Sequence, residues 1–231
     1  MTERHELRWG GFAGLAVVVL LVLGRFLPGN PPAVDASANE ITSFLTDGRT
    51  AILVGALMWS AAAGLIIWFG SAFAEAIRER NDRSDVHMAL LAGSVLVGSA
   101  IFVDAVVMAA TAYGVDGRDA GVTMMMYQLT AVLTTMIGFA AALPLAAAGI
   151  GVLRTHLMPD WLGYLAMLAA AVAFLGAFGI FASDGAFVAG GTLMTTIPLL
   201  VASVWIACAS GFMVREHLPE ISTGEAAIQQ P

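Results

Sequence analysis

The sequence contains no lysine; its ten basic residues are all arginine. A Schiff base to retinal or to pyridoxal phosphate needs a lysine amine, so both chemistries are excluded, a retinal pump among them. Cysteine is almost as scarce: Cys208 stands alone inside a hydrophobic block. One cysteine makes neither an internal disulfide nor a thiolate metal cage, and Cys208 reads as a small packing residue. Charge is sparse too. Only 12% of the 231 residues are charged and 59% are hydrophobic, against about 25% and about 45–50% in a soluble domain. A net charge of -7 argues against nucleic acid, whose phosphates need a basic stripe. The sequence carries no phosphate loop, no dinucleotide fingerprint and no HExxH pair.

What is present is long apolar blocks. About 20 mostly apolar residues cross roughly 30 Å of hydrocarbon, and six blocks reach that length. The expected fold is all-α: one polytopic transmembrane helix bundle over residues 1–214, with spans at about 9–26, 50–74, 86–113, 123–153, 161–181 and 191–214. Residues 215–231 form a polar cytoplasmic tail. Arg4 and Arg8 ahead of an apolar run, with Ala36-Ser37-Ala38 beyond it, resemble a signal peptide. Arg25 and the stretch 28–35 separate run from cleavage-like site, so the first block is read as a retained span. Pro28, Pro31 and Pro32 stop it. In the following loop Asp35 or Ser37 can cap a short helix bearing Ile41, Phe44 and Leu45, expected to lie on the membrane surface. The fourth span holds Pro144, and 75–85 reads as a mixed-charge linker.

The arginines orient the bundle. With the N-terminus inside, Arg4, Arg8, Arg78, Arg80, Arg83, Arg154 and Arg215 are cytoplasmic, and only Arg25, Arg49 and Arg118 lie outside. That bias follows the positive-inside rule and puts both termini in the cytoplasm. Trp9 and Trp161 begin odd spans, as interfacial aromatics do. The segments Arg154–Pro159 and Arg215–Pro219 echo each other, which duplicated hairpins would explain. The plainer reading, a basic residue and then a breaker at a cytoplasmic helix end, is preferred.

Asp104 is the most informative residue. Nine positions before Tyr113, it sits roughly 13 Å below the outer end at 1.5 Å per residue. A carboxyl at that depth costs about 2.5–3.5 kcal/mol on insertion scales, so it is expected to face the bundle interior. Gly93, Ala100 and Thr111 share its stripe. The fourth span offers Gln128, Ala131, Thr135, Gly138 and Ala142 at helical spacing, with Thr134 adjacent. If the third and fourth spans form a hairpin, Asp104 can bond Thr134 or Thr135. Asp104, Gln128, Thr134 and Thr135 are thus the candidate ion- or proton-binding set, and a protonated acid joining two helices is the structural alternative.

All four histidines map to the cytoplasmic side, so none can hold a haem at mid-bilayer. His87, His156 and His217 are donors of the right chemistry for zinc, but they come from three separate loops without metal spacing. No metal and no cofactor is expected. Trp59, Trp68 and Trp205 read as packing residues, Met124–Met126 as adaptable packing rather than a copper cluster, and Gly176, Gly179, Ser94 and Gly98 as sites of close helix contact.

The phrases DASANEITSFLTDGR before the second span and LRTHLMPDWLGYLA between the fourth and fifth resemble a family of bacterial six-helix integral membrane proteins common in high-GC bacteria, a domain of unknown function. Arg154, Pro159, Trp161, Leu162 and Gly163 carry the most specific part. The resemblance implies the fold and the plasma membrane and brings no activity with it. Function therefore rests on the residues. The first reading is a non-catalytic bundle in the lipid bilayer acting through a membrane-protein partner or as a homo-oligomer. The second is a small proton- or cation-coupled carrier or channel using Asp104, which requires a water-accessible cavity reaching that residue.

Overall fold

The computed structural model describes residues 3–80, 85–182 and 187–215. Its helices are α1 (Glu3–Phe26), α2 (Ala38–Asp47), α3 (Arg49–Arg80), α4 (Val86–Tyr113), α5 (Ala120–Thr155), α6 (Asp160–Ala177) and α7 (Thr192–Arg215), with single 3-10 turns at Val115–Gly117 and Phe178–Phe181. Among the described residues there is no strand. Every helix except α2 is long and apolar enough to cross a membrane, giving six spans; the chain is a multi-pass integral membrane protein.

The spans form a closed ring. Each packs against its neighbours in sequence, and α7 returns to pack against α1. Short connections make successive spans antiparallel, as in other up-and-down bundles. Lipid tails give apolar helices no hydrophobic reason to associate, so close backbone approach between small residues has to supply the contact. Every seam of the ring has such a contact. Gly24 meets the Gly55 carbonyl between α1 and α3, and Gly98 meets the Ala63 carbonyl between α3 and α4. Gly149 meets the Gly163 carbonyl between α5 and α6, and Gly11 meets the Ser210 carbonyl between α7 and α1. The two remaining seams share one device. Pro144 inside α5 lays its ring on Gly93 of α4, and Pro198 inside α7 lays its ring on Gly176 of α6.

Two expectations are corrected. The segment after the second span is not a linker from residue 75: α3 continues to Arg80, and Arg78 bonds Glu75 one turn back, which supports the helix where it leaves the apolar region. The apolar stripe of α2, expected to lie against the membrane surface, packs on the bundle instead. Ser37 caps it by accepting the Glu40 N–H at 3.3 Å, and its Ile41 and Leu45 are buried against Ile52, Ala112 and Val115. The apolar stripe of α2 faces the ends of α3 and α4, so α2 roofs one end of the ring.

That roofed end is braced by arginine. The last carbonyls of α4 lack helical partners; Arg49 bonds Tyr113 O at 2.8 Å and Arg118 bonds Ala110 O at 3.2 Å. Arg49 also pairs with Asp116 at 2.8 Å and lies over the Tyr113 ring. At the opposite end α5 stops on His156 in the left-handed region (φ 48°), and the loop buries Leu157 and Met158 before α6 begins.

Candidate functional site

A ring of six helices with glycine seams does not fill its own axis at the α2 end. Between α1, α3, α4, α5 and α7, under the roof of α2 and residues 28–34, lies a cavity of about 510 Å³. A narrower space of about 120 Å³ continues from it along the axis, sharing Arg25, Trp59, Thr134 and Thr195 as wall residues. Phe69 and Trp205 stand at its wall, and with Phe73 they form a stack of aromatic contacts at 5.9–6.1 Å. The pair of spaces has the volume and the mostly apolar lining of a small-molecule site.

Asp104 lies on the wall of the larger cavity and is only 1% exposed. Thr134 donates its hydroxyl to Asp104 Oδ1 at 3.0 Å across the α4–α5 seam. The same hydroxyl lies 2.9 Å from the Thr130 carbonyl. One proton thus has two acceptors. When it turns to Thr130, its oxygen is left able to accept from a protonated Asp104, so the pair accommodates either state of the carboxyl. The second oxygen, Asp104 Oδ2, is buried and has no hydrogen-bond partner among the described residues.

No protein-family model, curated protein or solved structure matches the chain. Its chemistry is carried by its own geometry.

Of the residues expected around Asp104, Thr134 alone bonds it. Thr135 is turned away: it donates to Ala131 O at 2.8 Å and accepts the Gly190 N–H at 2.8 Å, pinning the loop before α7 onto α5. Gly190 has φ 74°, and a Cβ there would meet Ala131. Gln128 is exposed on the outer surface of α5 and has no place in the site. The physical reason is phase. A stripe of small and polar residues gives the period of the buried face, while one residue of offset turns it by about 100°. The inner face near the roof carries Tyr127, Thr130 and Thr134 instead, an i, i+3, i+7 series. Tyr127 donates to the Pro32 carbonyl at 2.6 Å and so ties the proline-rich loop over the cavity.

Arg25 was expected only as one of three arginines on the outer side, with no part in the site. It lines both spaces, and its guanidinium lies near enough to Tyr127 for the two to interact electrostatically. Trp59 and Trp205 are buried and donate to Leu21 O at 3.2 Å and Leu162 O at 3.1 Å. Trp68 does not pack inside; it is 54% exposed on the lipid side. Of the candidate metal donors, His156 bonds Asp160 at 2.9 Å on the surface, His87 begins α4, and His217 lies outside the described residues. Among the described residues no three histidine, cysteine, aspartate or glutamate side chains come together.

Proposed function

We propose that this chain is a non-enzymatic carrier of small solutes in a bacterial plasma membrane. It takes its ligand from the outer face into the roofed cavity and holds it at Asp104. One observation carries the reading: an almost wholly buried carboxyl, on a cavity wall, with one oxygen bonded and the other without a partner among the described residues. A buried acceptor without a partner costs about 1–3 kcal/mol. A carboxyl serving only to join two helices gains nothing from leaving it so, whereas a ligand group would satisfy it. Intramembrane acids facing a cavity mark ion and substrate paths.

The distribution of arginine supports the orientation. Arg8, Arg78, Arg80, Arg154 and Arg215 lie at the end away from α2, which by the positive-inside rule is cytoplasmic, so the cavity faces outward with both termini inside. The likeness of the loops to bacterial six-helix membrane proteins supports the plasma membrane. Carrier function outranks association with a partner here because the cavity gives Asp104 something to act on.

Cysteine labelling tests this directly. Cys208→Ala removes the native thiol, and Thr130→Cys or Met108→Cys then places one thiol on the cavity wall; Ala169→Cys, fully buried, is the control. In sealed vesicles of known sidedness, a charged membrane-impermeant thiol reagent should modify the two wall cysteines from the outer side and leave the control untouched. No reaction at either wall position would show a dry cavity and return the protein to the partner reading. Reaction from the cytoplasmic side would invert the topology.

A further inference from the structure

Among the described residues the cavity wall carries one guanidinium, Arg25, and one carboxyl, Asp104, whose charged forms are opposite in sign. In a low-dielectric space opposite charges attract strongly and pair if their backbones allow. These two form no ion pair. Arg25 is carried by α1 and Asp104 by α4, and α3 stands between those helices in the ring, so the space they line separates them.

Neither charge is committed elsewhere in a way that explains it. The other two arginines at this end, Arg49 and Arg118, cap α4. Arg25 instead makes a ring contact with Phe26 at 6.0 Å and faces Tyr127, and among the described residues no carboxylate bonds it. Asp104 keeps a buried oxygen with no partner among the described residues. Each charge on its own would select an ion and the other would repel it: a simple cation drawn to Asp104 has to share the cavity with the guanidinium, and a simple anion drawn to Arg25 has to share it with the carboxylate. A ligand carrying both charges meets neither penalty and neutralises both walls.

We infer that the ligand is a small zwitterion, its carboxylate held by Arg25, its ammonium by Asp104 and its carbon body lying against the apolar wall between them. Trp59, Met108 and Leu193 supply that wall, and the Thr134 hydroxyl fixes the carboxyl that receives the ammonium. This rests on the carrier reading and narrows it from cations to amino acids or molecules of the same charge pattern. Arginine binds carboxylate through its planar fork, which suits it to the anionic end.

Binding to protein in lipid nanodiscs, followed by calorimetry, tests the inference with defined probes. Phenylalanine would be compared with phenylalanine amide, which keeps only the positive charge, and with N-acetylphenylalanine, which keeps only the negative. 6-Aminohexanoate would be compared in the same way with hexylamine and hexanoate, covering a longer charge separation. In the native protein at least one zwitterion should bind about tenfold or more tightly than both of its single-charge analogues, the worth of one charge-assisted hydrogen bond. Asp104→Asn should erase the preference over the acid-only analogue, and Arg25→Gln the preference over the amine-only one. Unchanged melting temperatures would establish that both variants fold; a variant that does not fold leaves the native comparison to decide. An amine-only analogue binding as tightly as its zwitterion would overturn the inference and leave a cation carrier. Failure of every probe while Thr130→Cys is labelled would overturn it as well, and absence of labelling would remove the carrier reading itself.

Discussion

A single methyl group at Gly93 should separate two helices of the ring. A Cβ at that position would lie 2.7 Å from Pro144 Cδ, 2.8 Å from its N and 3.0 Å from its Cβ. Carbon pairs prefer about 3.5–4.0 Å, so α4 and α5 would have to part by roughly 1 Å. Most crowded side chains escape by changing rotamer. The proline ring is closed onto its own backbone and cannot. Overpacking of this kind costs about 1–3 kcal/mol, and about 2–4 °C of melting temperature follows each kcal/mol in a chain of this size. Gly93→Ala should therefore melt about 2–12 °C below the native protein when heating in detergent is followed by tryptophan fluorescence. Gly64 is the matched control. It lies in α3 with nothing within 4 Å of an added Cβ, and alanine there removes the glycine entropy cost of about 0.5–1 kcal/mol. Gly64→Ala should melt at or slightly above the native temperature. A Gly93→Ala protein as stable as Gly64→Ala would refute the account of the seams.

Three further outcomes follow from single contacts. Trp59→Phe keeps an aromatic ring but loses the bond to Leu21 O, and should cost at least about 0.6 kcal/mol, the average for an interhelical bond in membranes; a melting curve unchanged from native would contradict it. His156 adopts a left-handed backbone that glycine tolerates and a β-branched residue does not, so His156→Gly should outlast His156→Val by about 1–2 kcal/mol in the same assay. Tyr127→Phe releases the proline-rich loop from its 2.6 Å bond and should speed thiol labelling of Thr130→Cys from the outer side severalfold; an unchanged rate would show that the loop does not limit access.

The spans were legible because hydrocarbon thickness imposes a length that composition reveals, and α4 begins and ends where its apolar block does. Asp104 was legible for a related reason: a carboxyl at mid-bilayer has to face inward, whatever the helix order. The phase of its partners was not. Thr134 and Thr135 differ by one step of the helix, and only the crossing of α4 over α5, set by Gly93 against Pro144, decides which hydroxyl meets Asp104. The place of Arg25 near the end of the first span was legible but its facing was not; that it turns inward depends on the ring closing around an unfilled axis. The same closure explains α2, whose amphipathic stripe fits a membrane surface or a bundle end equally well until the ends of α3 and α4 are seen to meet beneath it.

The seam between the first and last spans bears on how the protein is made. Gly14 of α1 is fitted to the Ser210 hydroxyl and Gly11 to its carbonyl, and no earlier helix can offer those groups. During insertion α1 must therefore wait, one flank bare to lipid, until α7 leaves the translocation machinery. Until then the wall that holds Leu193 and Thr195 does not exist, and Arg25 and Asp104 look onto an open cleft. The axial cavity gains its full wall only when α1 and α7 meet.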